Sequence, residues 1–324
     1  MHILVCGGAG YVGSHLARLL AGHGHSVSVL DDLSGGHAQA VQWGDLFQVD
    51  LLNQQKLEKV FDGRAYDVVF HFAARSIVSE STAEPYGYYR SNVGGALNLL
   101  DAMLRHGVQR IVFSSTASVF GRPVSAVIDE DHPRAPINPY GTSKLMVEQI
   151  LADAARAYGL RSVALRYFNA AGASRDARIG ESHACETHLI PNVLRSVLGT
   201  APTLKVFGDD YATRDGTCVR DYVHVEDLAE AHLLALEFLG RNEGAHAFNL
   251  GNGQGFSVRE VIDAASRVVG SQIPFVAAPR RAGDPDTLVA SSRKAREVLG
   301  WQARWTDLDE IIESAWRWHR AQPW

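Results

Sequence analysis

Near its start the chain reads Ile3-Leu4-Val5-Cys6-Gly7-Gly8-Ala9-Gly10-Tyr11-Val12-Gly13. Four consecutive apolar residues predict a strand buried on both faces, as in a parallel sheet. The glycines that follow are spaced G-x-x-G-x-x-G. Gly7 allows a tight bend, Gly10 lets backbone approach a pyrophosphate, and Gly13 lets the next helix pack close to the strand. A helix that begins here offers free N–H groups to phosphates, so the run predicts a dinucleotide-binding turn.

The residues after this turn complete the same unit. Residues 14–23 have helical spacing of leucines, and residues 26–30 form a second apolar run that ends at Asp31. The order strand, glycine turn, helix, strand and acid is the order that a dinucleotide site requires. A carboxylate at Asp31 can hold a ribose diol and repel a 2′-phosphate, which favours NAD over NADP as the cofactor.

Strands and helices continue to alternate through the first half of the chain. This rhythm predicts an α/β fold with a doubly wound parallel sheet, Rossmann-like, over residues 1–169 as the NAD-binding domain. The predicted strands are 46–49, 68–72, 110–113 and 162–166, and the predicted helices are 53–61, 92–105 and 140–157.

The rhythm breaks after residue 169, where residues 170–186 are interpreted as a loop. Residues 170–324 are expected to form mainly a smaller, mixed α/β substrate-binding region. Residues 248–251 are expected to return to the main sheet, and residues 257–260 match a capping box. The other predicted strands are 204–208, 219–224 and 273–277, and the other predicted helices are 187–197, 228–239, 291–299 and 307–319.

Composition limits the classes of partner. The net charge is −5 with no basic run, which argues against nucleic acid or an anionic membrane surface as the main partner. The opening apolar run is too short for a signal peptide or a membrane span. Three cysteines, Cys6, Cys185 and Cys218, show neither a disulfide framework nor a zinc pattern. We therefore expect a cytoplasmic protein without a metal site.

A second informative stretch reads Asn138-Pro139-Tyr140-Gly141-Thr142-Ser143-Lys144. Pro139 suits the first turn of a helix, and Tyr140 and Lys144 then share one face. A tyrosine pKa of about 10 makes a poor base at neutral pH, and an adjacent ammonium favours the phenolate. Lowering this pKa by about 3 would take roughly 4 kcal/mol, which a lysine and a cationic cofactor ring could supply together. The spacing alone is equally consistent with two exposed residues on a helix.

Taken together, these motifs resemble the extended short-chain dehydrogenase/reductase superfamily, and more closely its nucleotide-sugar 4-epimerases. The resemblance covers nearly the whole chain. The last three stretches, taken together, are the ones specific to nucleotide-sugar enzymes. The stretches that carry the resemblance are residues 7–15, His71-Phe72-Ala73-Ala74, residues 114–121, residues 140–148, Arg166-Tyr167-Phe168-Asn169, Arg220-Asp221-Tyr222-Val223-His224-Val225 and Pro279-Arg280-Arg281-Ala282-Gly283-Asp284.

The resemblance implies a role for each matching residue. Tyr140 is expected to be the general base and acid, with Lys144 gripping the nicotinamide ribose and lowering the pKa of Tyr140. Thr116 is expected to hydrogen-bond the reacting sugar hydroxyl. The implied NAD-binding residues are Gly7, Gly10, Tyr11, Val12, Gly13, Asp31, Asp50, Leu51, Phe72, Ala73, Ala74, Asn92, Ser114, Tyr140, Lys144 and Phe168. The implied substrate-binding residues are Thr116, Tyr140, Asn169, His188, Leu189, Arg220, Arg281 and Asp284.

The activity implied is NAD-dependent inversion at C4 of a UDP-hexose through a transient 4-keto intermediate. The UDP-sugar substrate is expected to be anchored through its diphosphate by Asn169, Arg220 and Arg281 and through its ribose by Asp284. Related dehydratases need an Asp-Glu pair after the strand-end threonine, whereas this chain has Ala117 and Ser118. The superfamily resemblance also implies a homodimer formed through helices 92–105 and 140–158.

Three alternatives stay open. His188 stands where some relatives have asparagine, and a buried, hydrogen-bonded histidine is as good an interpretation as a ligand. Leu288 stands where residue size admits or excludes an N-acetyl group, so UDP-N-acetylglucosamine or a UDP-pentose is an alternative substrate. A different class of function is a non-catalytic NAD-binding sensor, against which the presence of Tyr140, Lys144 and Thr116 argues.

Overall fold

We describe residues 1–281, 284–321 and 324 in a computed structural model. The residues 282 and 283 of the 279–284 motif lie outside the described residues. The strands within the described ranges are β1 (His2–Cys6), β2 (Ser26–Asp31), β3 (Asp45–Gln48), β4 (Val68–His71), β5 (Arg110–Thr116), β6 (Arg161–Tyr167), β7 (Asn169–Ala171), β8 (Leu204–Phe207), β9 (Val219–Arg220), β10 (Tyr222–His224), β11 (Ala245–Leu250), β12 (Phe256–Ser257), β13 (Phe275–Ala278) and β14 (Thr287–Leu288).

The described α-helices pack around these strands. Short 3-10 turns cover Ala38–Ala40 and Ala117–Val119, and wider π-helical turns cover Tyr89–Gly94 and Ala295–Leu299. The helices are α1 (Tyr11–Gly22), α2 (Gln54–Phe61), α3 (Val78–Ala83), α4 (Pro85–Tyr88), α5 (Gly95–Arg105), α6 (Pro139–Tyr158), α7 (Leu189–Val197), α8 (Val225–Leu239), α9 (Val258–Val269) and α10 (Leu308–Ala321).

A seven-stranded parallel sheet forms the centre of the molecule, in the order β11-β6-β5-β4-β1-β2-β3. Strand β1 shows why both faces are covered. Ile3 and Val5 belong to one hydrophobic cluster, whereas Leu4 and Cys6 belong to another. Because successive side chains point to opposite faces, this run must be apolar throughout. The predicted doubly wound parallel sheet is confirmed.

The strand order reverses beside β1. The chain proceeds from β1 to β2 and β3 on one side and to β4, β5 and β6 on the other. In open α/β sheets, ligands bind in the crevice at the carboxyl ends of the strands where this reversal occurs. The fold therefore places the glycine turn, which follows β1, at the position expected for a binding site.

The later part of the chain contributes to both the main sheet and a second core. Strand β11 pairs in parallel with β6, as predicted for residues 248–251. Helices α7, α9 and α10 pack around a separate cluster that includes Val193, Val261 and Ile311. The predicted capping box is present, because Ser257 and Glu260 each bond the other's backbone N–H at the start of α9. The boundary at residue 169 stays a prediction.

Several predicted elements differ from the structure. The helix predicted over residues 92–105 extends back to Pro85 through a π-helical turn, and α3 was not predicted. Glycines at 87, 94 and 95 and the polar residues of α3 hide the apolar period that marks a buried helix. The loop predicted over residues 170–186 begins with β7, whose residues 169–171 pair with β10. No described helix has the length and apolarity needed to cross a bilayer.

Candidate active site

The glycine turn, residues 7–13, has a shape that only glycines allow at two positions. Gly7 has a positive φ of 82°, and a Cβ there would lie 2.5 Å from the backbone N of Ala73. A Cβ on Gly13 would overlap the carbonyl oxygen of Gly7, so α1 can pack this close only without one. Gly10 is the N-cap of α1, and no side chain caps that first turn. Its N–H groups are therefore available to a phosphate.

Asp31 closes the other side of this turn. Its carboxylate accepts hydrogen bonds from the backbone N–H of Ala9 (3.0 Å) and of Leu33 (2.9 Å). Burial raises the pKa of Asp31, and the two backbone N–H groups lower it in part. The acid thus sits beside the glycine turn at the end of β2, where a ribose diol would approach. This cradle of small residues, free N–H groups and one carboxylate fits the adenosine diphosphate part of NAD.

Helix α6 begins as the sequence predicts. The Asn138 side chain accepts a hydrogen bond from the backbone N–H of Gly141 at 2.8 Å, and Pro139 occupies the first turn. Gly141 packs against the backbone of Ser118, where a Cβ would overlap the carbonyl oxygen. The helix start is therefore held tightly against the end of β5, and this brings Tyr140 next to Thr116.

Four hydroxyl groups meet at the carboxyl edge of the sheet. We call them the hydroxyl cluster: Ser114, Thr116, Tyr140 and Tyr167. Thr116 and Tyr167 are register partners at the ends of β5 and β6. Ser114 Oγ hydrogen-bonds the Tyr167 hydroxyl. Burial raises the pKa of Tyr140, and a hydrogen bond with Thr116 acts in the opposite direction. The predicted catalytic tyrosine and threonine are thus in contact.

Lys144 lies one turn along α6, on the same face. Its Nζ donates a hydrogen bond to the Ser114 carbonyl oxygen at 2.8 Å and lies 5.9 Å from the centre of the Tyr140 ring. Burial lowers the pKa of Lys144 to about 7, while the charge of Glu148 raises it. The predicted lowering of the Tyr140 pKa by Lys144 together with a cationic cofactor ring stays a prediction. The ammonium is directed at a backbone carbonyl, and burial of the phenol dominates.

A buried ion pair connects α6 to the central sheet. Glu148 accepts two hydrogen bonds from the Arg166 guanidinium, at 2.9 and 2.6 Å, and one from Ser115 Oγ at 2.6 Å. The side chains of Glu148 and Arg166 are 6% and 3% exposed. A guanidinium and a carboxylate that share two hydrogen bonds fix each other's orientation and also balance each other's charge. The pair therefore ties α6, and Lys144 with it, to β5 and β6.

Asn92 is buried, and its hydrogen bonds are made within the protein. Its side chain accepts the backbone N–H of Arg75 at 2.9 Å and donates to the Arg75 carbonyl and to Ser143 Oγ, both at 3.0 Å. The amide therefore joins the segment after β4 to α6. This places Asn92 at the wall of the cleft, where it positions the segment that follows Ala73 and Ala74.

The remaining predicted cofactor residues are spread along the same edge. Ala73 donates its N–H to the Cys6 carbonyl at 3.1 Å, so the end of β4 lies against the glycine turn. Leu51 is buried in the core, and the Asp50 carboxylate accepts the N–H of Leu52 at 2.8 Å in an exposed turn. Phe168 packs in a small cluster with residues that include Phe120 and Leu288.

The predicted substrate residues lie farther out. Arg220 forms an ion pair with Asp284 at 2.6 Å, so the structure brings together two residues that were predicted separately. Asn169 donates to the Asp221 carbonyl at 2.8 Å. Arg281 is exposed, with its guanidinium 4.1 Å from the centre of the Phe207 ring. Asp284 donates its backbone N–H to the Arg281 carbonyl at 3.2 Å, so Arg281 adjoins the Arg220–Asp284 pair through its main chain.

His188 and Leu189 mark the start of α7. His188 is its N-cap residue, and its ring Nδ1 hydrogen-bonds Glu181. The side chain is 56% exposed, so the alternative of a buried histidine is wrong. The ring is held by a carboxylate, which the sequence interpretation did not anticipate.

Two residues of this site were missed in the sequence. Tyr167 ends β6 as Thr116 ends β5. Its position at the carboxyl end of a parallel strand could have identified it as a site residue from the sequence. Glu148 lies four residues after Lys144 and eight after Tyr140, a spacing that places all three on one helix face. Its burial could not be read from the sequence, because its partner Arg166 is on a different element.

An uncapped helix above a glycine turn, with acid–base side chains on the same sheet edge, defines a dinucleotide-dependent enzyme of Rossmann-like fold. A sequence model of the NAD dependent epimerase/dehydratase family matches residues 3–251. The chain therefore belongs to the NAD dependent epimerase/dehydratase family, and the superfamily resemblance drawn from the motifs is confirmed.

Three individual relatives of this chain all carry the name UDP-glucose 4-epimerase. The chain is 50% identical to the UDP-glucose 4-epimerase of Halalkalibacterium halodurans, over 100% of this chain and 97% of that protein. A Brucella ovis UDP-glucose 4-epimerase solved with NAD has a TM-score of 0.95 at 49% identity, covering 98% and 97% of the two chains. A Stenotrophomonas maltophila UDP-glucose-4-epimerase with bound NAD and formylated UDP-arabinopyranose gives 0.95 at 42% identity, covering 99% and 98%.

Proposed function

We propose that the protein inverts the configuration at C4 of a UDP-hexose and so interconverts UDP-glucose and UDP-galactose, with NAD as its bound cofactor. The contact between Tyr140 and Thr116, beside Lys144 and the glycine turn, is the observation that supports this most strongly. The full-length likeness to UDP-glucose 4-epimerases at 50% identity supports the same activity.

The hydroxyl cluster provides the acid–base chemistry in this proposal. Thr116 holds the sugar 4-hydroxyl, and Tyr140 takes its proton as the C4–H bond breaks. On return, Tyr140 gives the proton back to the 4-keto oxygen after the sugar has turned its other face. NAD, when bound, accepts and returns the C4 hydride and supplies a positive ring charge that favours the phenolate. Atoms balance, and no external oxidant or reductant is consumed.

The role of Lys144 in this proposal follows from its surroundings. Burial lowers the pKa of Lys144 to about 7 and raises that of Tyr140, so the protein alone keeps the phenol neutral and disfavours the ammonium without abolishing it. Lys144 would hold the nicotinamide ribose of bound NAD, and its Nζ is already positioned by the Ser114 carbonyl.

The substrate is held by its UDP part. We propose that Asn169, Arg220 and Arg281 bind the diphosphate and that Asp284 binds the uridine ribose. The guanidinium of Arg220 is kept in position by Asp284, and an N–H of Arg220 that this pair does not use can donate to a phosphate oxygen. His188 and Leu189 complete this proposed binding surface at the start of α7.

The end of β5 favours inversion over elimination of water. Thr116 is followed by Ala117 and Ser118, and the Ser118 backbone N–H donates to the Thr116 hydroxyl oxygen at 3.1 Å. A dehydratase needs an additional acid and base beside the keto sugar. Neither residue at these two positions titrates, so the keto intermediate is returned to the hydride donor.

A UDP-pentose is the second candidate substrate. The Stenotrophomonas maltophila relative was solved with a formylated UDP-arabinopyranose at 42% identity to this chain. Leu288, the position tied to pocket size, packs in one cluster with Phe168 and Phe120. A pyranose without a C6 group is smaller than a hexose, so a pocket beside Leu288 that admits a hexose also has room for a pentose.

We also propose a homodimer and a cytoplasmic location. Leu97 and Leu104 on α5 and Met146 and Tyr158 on α6 are 44–60% exposed, an apolar surface that a four-helix contact between two copies would cover. Light scattering is expected to give twice the 35.3 kDa chain mass, and a 35.3 kDa species would contradict the dimer. The three free thiols favour a reducing compartment.

A panel of UDP-sugars tests the substrate proposal. We expect NAD-loaded protein to convert UDP-glucose to UDP-galactose without added reductant, and more slowly to invert UDP-arabinopyranose or UDP-N-acetylglucosamine. The products are separated by anion exchange or followed by proton NMR. Preference for a pentose would support the second candidate, whereas no conversion of any UDP-sugar by NAD-bound protein would favour a sensor.

A further inference from the structure

A group of metal-ligating side chains lies outside the hydroxyl cluster, in the segment that leads into α7. We call Glu181, His183, Glu186 and His188 the Glu-His cluster. One ligand atom from each lies within 4.8 Å of all the others. Nδ1 of His183 is 3.5 Å from Glu181 Oε1 and 3.2 Å from Glu186 Oε2, and Nδ1 of His188 is 3.5 Å from Glu186 Oε1.

The contacts of His183 match the spacing of a tetrahedral site. With metal–ligand bonds of about 2.0–2.1 Å, the edges of a zinc tetrahedron are about 3.3–3.4 Å long. The distances from His183 Nδ1 to Glu181 Oε1 and to Glu186 Oε2 are within about 0.2 Å of that length. Glu181 and His188 are hydrogen-bonded directly, so these two side chains must separate when an ion binds. Nitrogen ligands argue against magnesium and calcium, which take oxygen, and favour zinc or a chemically similar transition-metal dication.

Charge in this cluster also calls for a cation. The side chains of Glu181 and Glu186 are only 5% and 3% exposed, and buried carboxylates require compensating positive charge. Two carboxylates, one dication and two neutral imidazoles give a net charge of zero.

The surrounding groups orient the ligands. Glu186 Oε1 accepts the backbone N–H of Thr187 and of His188, each at 2.8 Å, which directs Oε2 toward His183. Trp318 Nε1 donates to the Glu181 carbonyl at 2.8 Å and so fixes the first ligand's backbone. Such outer contacts hold a metal site in shape before the ion arrives.

We propose that the Glu-His cluster binds one zinc-like divalent cation through Glu181, His183, Glu186 and His188. The sequence predicted no metal site, because that prediction considered cysteine spacing and this set contains no thiolate. The ion would hold residues 181–188 together, and in this segment the Ser182 carbonyl lies 3.2 Å from Nε2 of His37, whose backbone N–H donates to the carbonyl of Ala9 in the glycine turn. A structural ion here would thus brace the wall beside the glycine turn.

The test is a calorimetric titration of zinc chloride into full-length, NAD-loaded protein without an affinity tag. The protein is first treated with a chelator to remove bound metal, and the chelator is then removed. We expect one zinc per chain with a Kd below about 10 µM. We also expect a heat that depends on the buffer's ionisation enthalpy, because the histidines release protons on binding. Saturating zinc is expected to raise the thermal midpoint by at least about 3 °C.

Variants distinguish this site from other zinc-binding groups. His183→Ala and Glu186→Gln should each weaken zinc binding at least 10-fold, and the cobalt(II) form of the parent should show the visible bands of a tetrahedral site. Cys185→Ser, which alters an exposed thiol, and His246→Ala, which alters a half-buried side chain on β11, should leave Kd unchanged because both lie outside the set. Both ligand variants are expected to fold, because His183 is about one third exposed and because glutamine has nearly the same shape as Glu186.

No binding to the parent protein, unchanged affinity in both ligand variants, or loss of binding in Cys185→Ser would overturn the proposal. Magnesium chloride serves as the selectivity control, and equal affinity for magnesium would also contradict a nitrogen-containing site. None of these readouts depends on turnover, so failure of the epimerase proposal and failure of the metal proposal can be told apart.

Discussion

Replacing Tyr140 with phenylalanine is expected to lower turnover of UDP-glucose about 10³-fold while NAD stays bound. The change removes one hydroxyl, the group that takes and returns the sugar proton, and leaves the ring in place. Burial and Thr116 set the pKa of this hydroxyl, and the other phenol of the hydroxyl cluster, Tyr167, is already hydrogen-bonded to Ser114. Turnover is measured by coupled detection of UDP-galactose, and NAD content by absorbance after denaturation.

Tyr158→Phe is the matched control for this variant. Tyr158 ends the same helix and is 60% exposed, so its hydroxyl can be removed with turnover unchanged. Thermal midpoints for both variants should stay close to that of the parent. Retention of more than about a tenth of parental turnover in Tyr140→Phe would contradict the role proposed for the phenol.

Replacing Glu148 with alanine is expected to destabilise the protein by about 3–5 kcal/mol. The change leaves the Arg166 guanidinium buried without its carboxylate partner and removes the acceptor of the Ser115 hydroxyl. It also removes the charge that raises the pKa of Lys144, so that pKa should fall below about 7. Urea unfolding measures the first effect. The lower pKa of Lys144 should appear as a loss of its ammonium form at neutral pH, and therefore as a loss of turnover.

Asp153→Ala is the matched control on the same helix. Asp153 pairs with Arg156, but both side chains are more than half exposed, and such pairs contribute at most about 1 kcal/mol. A similar, small loss of stability for Glu148→Ala and Asp153→Ala would mean that the buried pair does not hold α6 to the sheet.

Much of the fold could be predicted because its elements are marked by local patterns. The buried run at residues 3–6 alternates between the two cores of the sheet, and the glycines at 7 and 13 sit where a Cβ would collide with backbone. Such patterns need no knowledge of distant residues. The helical segment over residues 85–91 escaped prediction because a glycine-containing, partly π-helical segment does not show the 3.6-residue apolar period.

The site was predicted only in part for the same reason. Tyr140 and Thr116 belong to motifs with recognisable spacing, and the structure places them in contact. In the protein alone burial raises the pKa of Tyr140, an effect that a Tyr-x-x-x-Lys spacing does not reveal. The lowering of this pKa by Lys144 together with a cationic cofactor ring stays a prediction. The Glu148–Arg166 pair and the Glu-His cluster likewise depend on which elements meet after folding.

In the proposed reaction, the site removes hydrogen from C4 of a UDP-hexose and returns the same hydrogen to the opposite face. The reaction is tested by converting UDP-glucose that carries deuterium at C4, with NAD-loaded protein in ordinary water and without added reductant. We expect UDP-galactose that keeps its deuterium at C4, detected by NMR and mass spectrometry. Replacement of that deuterium by solvent hydrogen, or absence of any C4-inverted product, would contradict the proposed reaction.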